Sequence, residues 1–163
     1  MLTLVRRTEV HLLDDPTTDF SPYLPPWGQD WPSWMQWANA LPNLSEINLQ
    51  CEQISAGYIR LRLEKSRWGL TPIGGVNGGL VIAAADQAMG IVALTVMPRG
   101  ALPATATLNA SYFRPAMPPL TFQARVTESG RRLVFVKLDV EDRAGRVCVS
   151  CSGAMAAQSD TFT

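Results

Sequence analysis

Apolar positions recur along the chain with two different periods. In YIRLRLEK (58–65) they alternate: Ile59, Leu61 and Leu63 fall on one side and Arg60, Arg62 and Glu64 on the other, the period of a half-buried strand. From Leu80 to Met97 the alternation stops. That run is too long for a strand and ends at Pro98-Arg99-Gly100, which predicts a buried helix followed by a stop. Strand-like runs return in ATATLNASYF (104–113), LTFQARVTE (120–128), RRLVFVKLDV (131–140) and GRVCVSCSGAMAA (145–157), and Ser129-Gly130 and Asp142–Gly145 supply hairpin turns between the last three. A helix that is apolar on nearly every side must be covered on most of them. The predicted fold is therefore α+β, an antiparallel sheet wrapped around one long central helix. Such a layout leaves sheet edges in need of partners, and pairing two copies is a natural solution.

Residues 1–45 form an extension rich in proline and tryptophan, and residues 46–163 form the main domain. Trp27, Trp31, Trp34 and Trp37 stand at spacings of four, three and three. Asp30 is placed to cap a short helix with Pro32 in its first turn, leaving Trp31, Trp34 and Trp37 on one face and Leu41 beyond. The arm is expected to pack onto the body or onto a partner subunit; the alternative is a lid over an apolar ligand.

Composition narrows the function. Of 163 residues, 47% are hydrophobic and 17% charged, the balance of a globular protein, and 14 basic side chains offset 14 acidic ones. With no net field to draw in nucleic acid or an anionic membrane, neither is an expected partner. The run Leu80–Met97 carries Asp86 and Gln87 near its centre, and an Asp at mid-membrane costs roughly 2.5–3.5 kcal/mol, so the helix is read as buried in a soluble protein. The start, MLTLVRRTEVHLLDD, turns polar too early for a secretory signal. Three cysteines, an odd number, suggest neither a disulfide framework nor a zinc site, and a reducing cytoplasm fits best.

Asp86 is the residue that needs a reason. At helical spacing its neighbours are Ile82, Ala83, Met89 and Gly90, none of them basic. Burying a carboxylate in such a setting is costly unless it is hydrogen-bonded, hydrated or neutralised. A bond to a backbone group or hydroxyl, or a solvent-facing position, would satisfy it locally. Two features point further. Val76-Asn77-Gly78-Gly79 puts glycines where the helix begins, and free N–H groups there, with the helix dipole behind them, stabilise negative charge on a carbonyl oxygen. The alanines and Gly90 around Asp86 leave room for a ligand. Donors and acid could then address one ester or thioester carbonyl, with Asp86 activating water or attacking directly. Nine residues separate Asn77 from Asp86, about 13 Å along a helix, too far for one chain. Two antiparallel helices in a dimer would bring one copy's N-terminus to the other's acid.

NGGLVIAAADQAMG (77–90), LNASYFRPA (108–116) and ARVTESGRRLVFVKLDVEDRAGRVCVSCSGAMAA (124–157) together resemble the hotdog-fold acyl-CoA thioesterases of the phenylacetate-degradation, PaaI-like group. The family's signature is HGG, an acid nine residues after the His and a glycine four beyond that, a register kept here at Gly78, Gly79, Asp86 and Gly90. The resemblance covers roughly residues 46–157 and excludes the Trp-rich arm. It implies a hotdog fold, Asp86 as general base or nucleophile, and the backbone N–H of Gly78 from the opposite subunit as oxyanion contact. Thr105 falls where the family often has a hydroxyl that orients the attacking water; a hydroxyl satisfied along a strand is the alternative. Gly79, Met89 and Gly90 would line the substrate site, and Arg114, Arg131 and Arg132 lie where the family often meets the phosphates of CoA. Two positions depart from the pattern: Asn77 replaces the His, and Thr71 replaces a frequent Asn six residues before it. An amide can donate to a carbonyl or hold the loop but cannot protonate a leaving group, and a thiolate needs little protonation.

The expected function is hydrolysis of an acyl-CoA, or of an acyl group on a carrier protein, by a homodimer or homotetramer, with an apolar or aromatic acyl group, no metal, and no cofactor beyond the CoA of the substrate. The alternative is a non-catalytic hotdog protein that binds acyl-CoA or a hydrophobic ligand. A hydratase would want a His–Asp pair, and the one histidine, His11, lies far out in the arm.

Overall fold

The computed structural model of the chain describes residues 21–66 and 70–159. His11 and the first part of the extension lie outside them.

Six antiparallel strands form one sheet: β1 (Leu49–Ser55), β2 (Tyr58–Leu63), β3 (Ala101–Tyr112), β4 (Leu120–Ser129), β5 (Leu133–Glu141) and β6 (Val147–Ser159), in the order β1-β2-β4-β5-β6-β3. The long helix is α3 (Gly78–Leu94), and it touches all six strands. The sheet wraps around the helix, as the apolar run requires. Leu80, Val81, Ala84, Ala85, Ala88, Met89 and Ile91–Leu94 are buried under it. Gly79, Ala83, Asp86, Gln87 and Gly90 form the less covered stripe.

The helix ends at Leu94, short of the predicted Met97. Thr95 turns its hydroxyl back to donate to the Val92 carbonyl at 2.6 Å and accepts the Gly57 N–H at 2.9 Å, tying the helix end to the β1–β2 hairpin. Both predicted turns between β4, β5 and β6 are present. Strand β1, LQCEQIS, is an addition to the predicted order. A register irregularity between Cys51 and Gln53 breaks its alternation, and the polar Gln50, Glu52 and Gln53 dilute the apolar signal.

The arm folds onto β1. Helix α1 (Trp31–Ala40) and the short α2 (Pro42–Glu46) bring Trp34, Ala38, Leu41 and Leu44 into the same core as α3 and the sheet, with Trp31 and Trp37 half-buried beside them. Trp34 lies edge-on to Trp37 at 5.5 Å between ring centres, and its indole N–H donates to the Gly28 carbonyl at 3.0 Å. A side chain so enclosed is core rather than lid. Asp30 precedes α1 but makes no side-chain cap; its carboxylate accepts the Ser33 hydroxyl instead. The Asn39 amide exchanges two hydrogen bonds with Cys51, accepting its N–H at 2.8 Å and donating to its carbonyl at 3.1 Å, as a neighbouring strand residue would.

The Cys148-Val149-Ser150-Cys151 run has C-x-x-C spacing, yet Cys51, Cys148 and Cys151 are all free and buried. Among the described residues no helix is long and apolar enough to cross a membrane.

Candidate active site

Strand β3 runs antiparallel to α3 along its less covered side. Gly90 faces Pro103, Asp86 meets Thr105, and Gly78 meets Tyr112. The meeting with Thr105 depends on an irregularity: β3 and β6 pair Thr105 with Met155 and Thr107 with Ala154, so Ala106 is an extra residue that re-aims its neighbours. The Thr105 hydroxyl donates to Asp86 Oδ1 at 2.7 Å. Asp86 is half-buried, and Thr105 is its only hydrogen-bond partner among the described residues. One carboxylate oxygen is held and the other is left over. The local bond to a hydroxyl that could satisfy a lone acid is thus part of the arrangement and does not consume the group.

At the helix start Asn77 is the N-cap. Its Oδ1 accepts the Gly79 N–H at 2.8 Å, and its carbonyl accepts the Val81 N–H at 3.1 Å. The amide therefore holds the loop, and Gly79, expected to line the substrate site, has its N–H turned to Asn77. The Gly78 N–H has no acceptor among the described residues, as the first turn of a helix leaves it. Close approach explains both glycines: a Cβ on Gly78 would lie 3.2 Å from the Tyr112 hydroxyl oxygen, and one on Gly79 would lie 3.1 Å from Asn77 Oδ1.

Gly78 opens on a cleft of about 310 Å³, lined also by Thr71, Ile73, Tyr112, Phe113 and Arg114. Ile73, Tyr112 and Phe113 are exposed there, so the walls are largely apolar. Arg114 donates from Nη1 to the Val147 carbonyl. Thr71, one of the two departures, holds the loop below: its hydroxyl accepts the Gly75 N–H at 3.2 Å.

The other expected positions are less concentrated. Arg131 and Arg132 are exposed in the β4–β5 turn, just before the row that pairs Leu133 with Ala156 and Ala156 with Ala104, which puts them at the Thr105 end of the sheet. Arg114 lies past the other end of β3. The three arginines do not cluster within one chain. Met89, expected to touch substrate, is fully buried in the core, and a Cβ on Gly153 would lie 2.7 Å from its methyl. An i+3 position on this helix points under the sheet, whereas Gly90, at i+4, stays on the open stripe. Asp86 and Gly78 are eight residues apart on one helix, about 12 Å, so within a chain they cannot address one carbonyl.

Tyr112 carries a contact that the sequence did not announce: its hydroxyl donates to the Gly78 carbonyl at 2.6 Å. Burial, with a smaller effect from the Cys151 thiol, pushes the phenol above its ordinary value, so it stays a donor at neutral pH. The residues lie 34 apart, and no spacing rule links them. Among the described residues no three His, Cys, Asp or Glu side chains come together as a metal site.

The profile of the thioesterase superfamily matches residues 73–149, the stretch from the glycine loop to the start of β6. A protein of Saccharolobus solfataricus, SSO1253, provisionally named an esterase, is 31% identical over 117 residues, 71% of this chain and 77% of its own length. Two solved structures share the fold. A thioesterase protein of Streptococcus pneumoniae with coenzyme A is 18% identical, covering 72% of this chain and 93% of that one, with a TM-score of 0.65. The PaaI protein of the E. coli phenylacetic acid degradation operon is 14% identical, covering 70% and 86%, with a TM-score of 0.63. The chain belongs to the thioesterase superfamily, has the hotdog fold, and is by class a thioester hydrolase.

Proposed function

We propose that the substrate is an acyl-CoA, or an acyl group on a carrier protein, with an apolar or aromatic acyl portion, and that the site is shared by two copies of the chain. The observation that carries this reading is the Thr105–Asp86 bond, which holds one carboxylate oxygen and leaves its mate available beside the gap at Gly90. Asp86 either takes a proton from water or attacks the thioester carbonyl itself. The Gly78 N–H of the second copy, at the positive end of its helix, stabilises the oxyanion that forms. Thr105 fixes the carboxylate and orients the attacking water. The thiolate then leaves without a protein proton, which is why Asn77 can stand where the family's His would be.

Several features support a shared site. Gly78 and Asp86 are too far apart to act within one chain, and among the described residues β3 pairs with β6 alone, leaving its other side open to a second copy. Antiparallel pairing there would set Asp86, Arg131 and Arg132 of one copy against Gly78 and Arg114 of the other, so that cations from both flank one CoA. The exposed Ile73, Tyr112 and Phe113 suit an apolar acyl group. No metal and no cofactor of its own enter this scheme.

The test is a panel of acyl-CoAs and acyl-carrier proteins followed by free-thiol release, with Asp86→Asn beside the wild type. Turnover in the wild type and a loss of about 10²–10⁴ in kcat in the variant are expected. Tight binding without turnover would establish the non-catalytic alternative. Full activity in a monomer would refute the shared site.

A further inference from the structure

We propose that Tyr112 is a positioning residue of this site: its hydroxyl pins Gly78 so that the Gly78 N–H keeps one direction at the mouth of the cleft. The inference rests on the reading of Gly78 as oxyanion donor. Glycine tolerates more backbone conformations than any other residue, and here two stand in succession at an exposed helix start. Left alone, such a turn frays, and a donor that swings cannot be preorganised for a developing charge.

The structure holds Gly78 from both sides. The Asn77 carbonyl on one side accepts the Val81 N–H at 3.1 Å, while the Gly78 carbonyl on the other accepts the Tyr112 hydroxyl at 2.6 Å in addition to its place in the helix ladder. With both flanking peptides fixed, φ and ψ of Gly78 have little freedom, and the N–H between them has a fixed aim. Asn77 does the same for Gly79 through its side chain. The fit is mutual, since a Cβ on Gly78 would lie 3.2 Å from the hydroxyl oxygen and would press the ring back by a few tenths of an ångström.

Tyr112→Phe keeps the ring and removes the bond. We expect kcat to fall about tenfold with KM unchanged, because the loss is felt where charge develops and not where substrate binds. Amide hydrogen exchange at Gly79 and Val81, whose N–H groups are bonded to Asn77, should accelerate about tenfold while Ala88–Leu94 exchange as before. Unchanged kcat would overturn the proposal, and so would faster exchange along the whole helix, which marks general loosening. Should the wild type turn over no thioester, it is the catalytic reading that fails. The pinning is then decided by exchange alone: acceleration confined to Gly79 and Val81 upholds it, and no acceleration refutes it.

Discussion

Thr105 and Asp86, on a strand bulge and a helix nineteen residues apart in sequence, meet through a 2.7 Å hydrogen bond in which the hydroxyl is the donor. Thr105→Val removes the hydroxyl at nearly constant volume, while Thr105→Ser retains it. Steady-state kinetics should show the valine variant at least about tenfold lower in kcat and the serine variant close to wild type. Both should keep the wild-type melting temperature, since Thr105 is exposed. A valine variant as active as wild type would reduce the contact to a strand hydroxyl satisfied locally.

Gly90 tests the space beside the carboxylate. A Cβ there meets only Pro103 Cγ, at 3.9 Å, an ordinary contact. Gly90→Ala should therefore stabilise the helix by up to about 1 kcal/mol, read from denaturant titration. The same methyl would stand one turn from Asp86 in the room assigned to substrate. The expected outcome is a more stable protein that turns over less, and a variant gaining stability with full turnover would show that the room is not used.

Gly153 allows no such addition. A Cβ would lie 2.3 Å from the Thr107 carbonyl oxygen and 2.7 Å from the Met89 methyl. Because one of these is backbone of the neighbouring strand, the strands must part. Gly153→Ala should cost about 1–3 kcal/mol or more in chemical denaturation and should also lower kcat, because the displaced strand carries Thr105.

Asp142 predicts an acid limb of the stability curve. Burial alone would raise its pKa, but the Arg146 N–H and guanidinium and the Ala144 N–H outweigh that and hold the carboxyl below its ordinary range. A depressed folded-state pKa means the contribution is complete above the unfolded value, about 3.9, and is lost as pH falls through the folded one. Melting temperatures measured from pH 6 down to about pH 2 should fall more steeply for wild type than for Asp142→Asn, which should already be less stable at neutral pH. Parallel curves would mean that another carboxylate governs the limb.

The cysteines should be silent in the folded protein. Burial pushes Cys51 and Cys151 up to about 11 and raises Cys148 as well. Treatment with a thiol-reactive disulfide at pH 8 should label none of the three without denaturant and all three with it. A thiol titrating in the native state would contradict the burial. Silence also means that free thiol seen during acyl-CoA hydrolysis comes from the product.

Much of this architecture was legible because its signals are periodic. The alternation in β2 and the long apolar run of α3 follow directly from which faces are buried, and the Gly-acid register pointed to Gly78, Asp86 and Gly90. Strand β1 was not legible, since its bulge breaks the period and its partner groups come partly from the Asn39 side chain. Asp86 and Thr105 were named separately, but that they touch depends on the extra residue Ala106, which no pattern in β3 marks. Tyr112 escaped because a phenol reaching a carbonyl 34 residues away leaves no local trace. Met89 lies in the core while Gly90 lies on the open stripe because adjacent helix positions differ by 100° in direction, which the register alone does not show.

The doubled bond between Asn39 and the Cys51 backbone gives the sheet two unlike margins. At β1 the chain occupies with its own amide the N–H and carbonyl of Cys51, in mid-strand, that a foreign strand would seek, with α1 packed behind it. At β3 the corresponding row is unoccupied among the described residues. A ribbon with one blunt margin and one receptive margin can join a copy of itself once. The product shows only blunt margins, so strand-by-strand growth into a fibre has nowhere to continue.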